Sequence, residues 1–239
     1  NMYRAFSYTV GGGYGETLEE EKTNDPMLAR QWHYFNDGTQ HTRAVPGADV
    51  NLFAAWDITT GHPDVVVAVM DGGVAYNHPD LAQNMWINTD EIAGNGVDDD
   101  NNGYVDDIYG YRWARSGDGP GSGEILPMDH GSHCAGTIAA VNNNGMGLSG
   151  VAGGNGSPNT GVRIMSCQTF YPDPDTPSDP YGNSKSSSRS PDGYAYAADN
   201  GAVIVNCSFS HSGTSLSASN KAGIDYFVDN AGNYPGSPM

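Results

Sequence analysis

Residues 65–70 (VVVAVM), an unbroken apolar run that ends in Asp71 and a Gly72, Gly73 turn, constrain this chain more than any other stretch. A half-exposed antiparallel strand would alternate apolar and polar residues. A short continuous run bounded by turn formers fits a strand buried on both faces at the centre of a parallel sheet. Parallel neighbours need long crossover connections, usually helical, so the run commits the chain to helices layered over a sheet. It also delivers an aspartate to the carboxyl edge of that sheet, where such folds place their chemistry.

The other elements agree with that commitment. Residues 50–58 (VNLFAAWDI) carry apolar side chains at helical spacing and stop at Gly61, His62 and Pro63. Residues 129–141 (DHGSHCAGTIAAV) open with an acid and keep one apolar side, which predicts a buried helix with His130 at its N-terminal end. Residues 162–170 and 202–209 predict two more strands. Between them, the proline- and serine-rich residues 171–190 predict a long loop. Ser190 then caps a helix with Pro191 at its first position. Strand, helix, strand, helix in this order predicts an α/β fold with a doubly wound, mostly parallel sheet and helices on both faces. One domain is expected from 239 residues, beginning near Asn24; residues 1–23, glycine-rich and then acidic, read as a tail or the end of a leader.

Charge narrows the partners. Ten Lys and Arg against 28 Asp and Glu give a formal charge of −18, a field that repels phosphate backbones and anionic membranes, so no nucleic-acid partner is expected. Such an excess of acid either solvates a surface or gathers around cations. Three unevenly spaced cysteines, Cys134, Cys167 and Cys207, fit buried small hydrophobes and neither a disulfide framework nor a zinc site. No apolar run is long enough for a membrane span. No secretory leader precedes the fold, as expected if one is removed or lies upstream of Asn1.

An aspartate closing a buried strand and a histidine opening a buried helix are two of the three groups that make a serine hydroxyl nucleophilic. The carboxylate sets the imidazole tautomer, and the imidazole takes the proton. Residues 65–81 (VVVAVMDGGVAYNHPDL) and 130–137 (HGSHCAGT) resemble, in order, the aspartate and histidine motifs of the subtilase family. The resemblance is strongest to its thermitase-like members. Around residue 24 NDPMLARQWHY resembles their mature N-terminus, and NNNGMGLSGVAG (142–153) the loop after the histidine helix.

This resemblance implies a subtilisin-like fold, C-terminally incomplete here, and a secreted serine endopeptidase acting on peptide or protein substrates. It makes Asp71 the orienting carboxylate, His130 the general base, His133 a structural residue, and Cys134 a neighbour beneath His130. Substrate would lie as an added strand along Ser208, Phe209 and Ser210. Three residues depart from the family pattern: Gly72 where Ser or Thr is usual, Ser132 for Thr, and Ser210 for glycine. Ser215 sits in a tempting Gly213, Thr214, Ser215 sequence, yet follows the Ser208 strand too closely and lacks the expected proline. The nucleophile and an oxyanion asparagine are therefore expected beyond residue 239, in the remaining C-terminal part of the same domain, and this chain alone is expected to be inactive.

Two calcium sites are expected. Asp98, Asp100, Asn102, Tyr104 and Asp106 space oxygen donors two apart around Gly103, like the first part of an EF-hand loop, with Asp107 as a further donor. Five carboxylates within residues 98–107 repel one another unless a cation is bound. The family resemblance implies the second site: Asp25, Asp80, the Asn144 side chain and the carbonyls of Val141, Met146 and Leu148. The alternative function is a non-catalytic module of the same fold that serves as a calcium-dependent binding or scaffold domain. A calcium-loop adhesion domain would explain the acidic clusters but not HGSHCAGT. Having both Asp71 and His130 favours the peptidase, since a scaffold has no chemical need of either.

Overall fold

The computed structural model describes residues 22–39, 42–113, 121–171, 185–186, 190–210 and 216–232. Helix α1 (Leu52–Trp56) falls inside the expected segment and buries Leu52 and Phe53 against Tyr34. Strand β1 (Val66–Asp71) is buried at every position. The elements that follow are β2 (Gly110–Arg112), α2 (Asp129–Ala139), β3 (Arg163–Gln168), β4 (Phe170–Tyr171), β5 (Lys185–Ser186), α3 (Ser190–Asp199), β6 (Ala202–Asn206) and α4 (Ala218–Asn230).

The main sheet runs β2-β3-β1-β6, with every pairing parallel. The two faces of β1 separate by residue parity, as the strand period requires. Val66, Ala68 and Met70 pack with Tyr194, Tyr196 and Ala197 of α3, and Ile224 and Phe227 of α4 join the same cluster. Val67 and Val69 pack on the opposite face with Ala135 and Ala139 of α2. Helices therefore cover both faces, and burial of each large β1 side chain contributes about 1.5–3 kcal/mol.

Three boundaries differ from expectation. The strands predicted at 162–170 and 202–209 stop at Gln168 and Asn206, where the chain leaves the sheet for the site. Residues 171–190 are not wholly loop: Tyr171 lies in β4, which pairs antiparallel with β5, a short ladder that needs no apolar pattern and so leaves no trace in a Pro/Ser-rich sequence. The short edge strand β2 escaped prediction because it follows the acidic loop and is recruited by its register with β3, Gly110 opposite Ser166. Residues 1–21 of the expected leader and Ser215 lie outside the described residues.

Candidate active site

Asp71 closes β1 opposite Gln168 of β3, and its carbonyl accepts the Thr169 N–H at 2.9 Å. The chain then turns through Gly72 and Gly73. Gly73 bridges to Pro127, and its carbonyl accepts the Met128 N–H at 2.7 Å, which sets the segment that opens α2 directly beside the strand end. Both contacts are backbone on backbone: a Cβ on Gly73 would stand 2.2 Å from the Leu126 carbonyl oxygen, and one on Gly131 only 2.0 Å from the Gly72 carbonyl oxygen. Glycine at 131 lets the helix press its first turn onto the Asp71–Gly72 backbone, and this approach places His130.

His130 Nδ1 lies 2.8 and 2.9 Å from the two carboxylate oxygens of Asp71. An ionised carboxylate only accepts, so Nδ1 carries the proton and donates it, leaving the Nε2 lone pair free. Asp71 is 4% exposed and the His130 side chain 47%, so the carboxylate is fixed in a dry pocket while the imidazole faces outward. The Gly72 N–H also donates to Asp71 Oδ1 at 2.6 Å. Gly72 has no hydroxyl of its own to offer, and the space its Cβ would take is filled by Met128, whose Sδ and Cβ would each be 2.8 Å away. Ser132 steadies the turn by accepting the Ala75 N–H at 2.9 Å.

Cys134 Sγ is 4.0 Å from His130 Nδ1, one helical turn below it. Burial pushes its thiol pKa up, opposed by a hydrogen bond with Ser208. That bond brings Ser208 to the site, while Phe209 packs against Phe170 with centroids 4.9 Å apart and Ser210 follows, exposed. His133 lies exposed on α2, its carbonyl accepting the Thr137 hydroxyl at 3.1 Å; the imidazole that meets Asp71 is that of His130.

Oxygen donors gather in two further places. Oxygens of Glu91, Asp100 and Asp107 lie within 4.8 Å of one another. The Asn88 amide donates to Asp100 at 3.0 Å and to Asp107 at 2.9 Å, and the Asn102 amide donates to the same two residues. Asp107 is fully buried and accepts the Tyr196 hydroxyl at 2.6 Å; burial pushes its carboxyl pKa up against these hydrogen bonds. Of the residues expected here, the structure brings Asp100, Asn102 and Asp107 together through these hydrogen bonds. Asp98 accepts the N–H groups of Asn102 and Gly103, and Asp106 those of Gly94, Asn95 and Gly96. The Tyr104 ring packs edge-on against Tyr111 and Tyr196. Asn88 and Glu91 were missed because they lie upstream of the regular spacing; the acid in the preceding NTDEI was the available signal.

The second group is the one the resemblance implied. Asp25 accepts the N–H groups of Asn143 and Asn144 and the Ser149 hydroxyl. Asp80 accepts the Asn144 side-chain amide at 2.7 Å and the Leu148 N–H at 3.2 Å, and its own carbonyl accepts the Val141 N–H. The Met146 N–H donates to Asn144 Oδ1. Both aspartates are 4% exposed, and burial, with the nearby Asp25 charge adding to it, pushes the Asp80 carboxyl pKa up. The segment around Asp25 is thereby tied to the loop after α2.

Fold and site together define a class: a doubly wound α/β protein with a buried carboxylate and a half-exposed imidazole hydrogen-bonded at the carboxyl edge of its sheet. The chain belongs to the subtilase family, Peptidase S8, whose pattern matches residues 62–235. Subtilisin-like protease 1 of Plasmodium vivax is 49% identical over 91 residues, 36% of this chain and 13% of that protein. Neuroendocrine convertase 2 of Bos taurus is 30% identical over 162 residues, 67% of this chain and 22% of that protein. The chain thus spans less than a quarter of the length of these relatives. Among solved structures, a protease of Pseudoalteromonas arctica superimposes with a TM-score of 0.53 at 29% identity, covering 87% of this chain and 56% of that one. A serine protease of Aeromonas sobria, solved with its chaperone, shares the fold with a TM-score of 0.53 at 22% identity, over 83% of this chain and 28% of that one.

Proposed function

We propose that this chain contributes the orienting carboxylate and the general base of a serine endopeptidase. The observation that carries the reading is His130 Nδ1 facing both oxygens of Asp71, which leaves Nε2 as the proton acceptor. In the proposed cycle Nε2 takes the proton of a serine hydroxyl as its oxygen attacks the peptide carbonyl. The imidazolium, stabilised by ionised Asp71, then protonates the departing amine. Ser208, Phe209 and Ser210 serve in this reading as the strand along which substrate is laid. The serine and the oxyanion donor come from polypeptide following residue 239, residues 24–239 form the leading part of the peptidase domain, and residues 1–23 are the end of a leader or propeptide. β6 fits this division: Val203 is 37% and Ile204 50% exposed on a strand with one free edge among the described residues, a surface suited to further sheet.

Calcium is the cation we assign to both oxygen clusters. Glu91, Asp100 and Asp107, with the Asn88 and Asn102 side chains, would hold one ion; Asp25, Asp80 and Asn144, with carbonyls from Val141, Met146 and Leu148, would hold another. The donors are all hard oxygens, and a divalent cation relieves the cost of burying neighbouring carboxylates. Bound calcium would stabilise the loops and take no part in proton transfer. Sites of this composition fill readily at extracellular calcium levels, in keeping with a secreted protein; no helix among the described residues is long and apolar enough to cross a membrane.

Hydrolysis of a chromogenic peptide by the native protein tests the reading. We expect about a 10⁴-fold loss of kcat in Asp71→Asn and about 10⁶-fold in His130→Ala. Unchanged hydrolysis in either variant rejects the roles given to Asp71 and His130, and absence of hydrolysis by the native protein leaves the non-catalytic binding or scaffold module.

A further inference from the structure

An open cavity of about 450 Å³, lined by neither Asp71 nor His130, has walls that include Tyr76, Tyr109, Val105, Ile108, Asp106 and Glu124. Tyr76 and Tyr109 stack with centroids 4.5 Å apart and planes 16° from parallel, so their half-buried rings act as one aromatic platform. Two carboxylates share the wall. Asp106 is held in place by the N–H groups of Gly94, Asn95 and Gly96. The Glu124 side chain is 75% exposed, with Arg112 Nη2 4.0 Å from it. The long-range field adds to the local one, since the chain carries a formal charge of −18.

From this chemistry we infer that the cavity is a second polypeptide-binding site, one that takes a lysine or arginine side chain. Its size suits one or two side chains rather than a large ligand. Ring faces attract a cation, the apolar Val105 and Ile108 receive its methylene stem, and Glu124 receives the charged head. An acidic side chain meets like charge on the same wall. The position gives the site a use. Ile125, in the same wall, leads through Pro127, which bridges to Gly73, into the helix that bears His130. A polypeptide anchored by a basic residue here lies against the segment that leads into the His130 helix, so the cavity selects substrates carrying a basic residue away from the scissile bond. That consequence rests on the peptidase reading; the binding itself does not.

Amide chemical shifts of the ¹⁵N-labelled native protein, titrated with N-acetyl-argininamide and with its uncharged isostere N-acetyl-citrullinamide, test the inference. The arginine probe is expected to shift Tyr76, Tyr109 and Glu124 in a salt-sensitive manner, and the citrulline probe to leave them in place. Glu124→Gln, at an exposed side chain that the fold does not need, and Tyr76→Leu are each expected to weaken the arginine probe about two- to fivefold. Equal shifts with both probes, or an affinity unmoved by both variants, overturns the site. Because the readout is binding, its failure leaves the peptidase reading standing. Loss of hydrolysis with arginine binding retained would remove only the catalytic reading.

Discussion

Gly131 does as much for the site as the residues that would do its chemistry. A methyl group there would sit 2.0 Å from the Gly72 carbonyl oxygen, backbone that has nowhere to go, so the helix must back away and take His130 from Asp71. In Gly131→Ala we therefore expect kcat to fall by about tenfold or more with KM little changed, and stability to drop by about 1–3 kcal/mol, the usual cost of overpacking. Steady-state kinetics and a melting curve measure both; a variant with normal kcat would separate the helix contact from the position of His130. Cys134 gives a second residue-level test. Burial raises its thiol pKa, so the reactive thiolate forms only at higher pH than in free cysteine, despite the opposing Ser208 hydrogen bond. Peptide mapping after timed alkylation should show Cys134 modified slowly at pH 8 and rapidly once the protein is unfolded; fast modification of the folded protein would contradict the burial.

At the level of elements, β1 is the member that the others are built on. Truncating Met70, fully buried between Tyr194, Tyr196 and Trp113, should cost about 2–5 kcal/mol in chemical denaturation, whereas the same change at exposed Val228 should cost little. This strand, the histidine helix and α3 were legible because each has an apolar pattern longer than its ambiguities. β2, β4 and β5 were not, since strands of two or three residues are defined by backbone partners far away in sequence. The same distinction divides the site. Asp71 and His130 each belong to a recognisable local motif, whereas the oxygens around Asp107 come from three stretches of chain that no single spacing pattern links. If calcium fills the two oxygen clusters at about 100 times its dissociation constant, each contributes about 2.7 kcal/mol. A chelator should then lower the melting temperature by about 5–10 °C per site. Asp107→Asn and Asp25→Asn should each remove part of that response; a melt indifferent to the chelator would rule out calcium at both.

Across the whole molecule, the hydrogen-bonded pair has meaning only if a hydroxyl joins it. The exposed face of β6 and the Ser208–Ser210 segment beside Cys134 mark the side from which it would arrive. Labelling the native protein with a fluorophosphonate probe, then mapping the modified residue by mass spectrometry, asks this directly. We predict a single labelled serine that follows residue 239 in the polypeptide, with labelling abolished in His130→Ala and strongly slowed in Asp71→Asn. A label on Ser215, or labelling that proceeds at the wild-type rate without His130, would contradict the account.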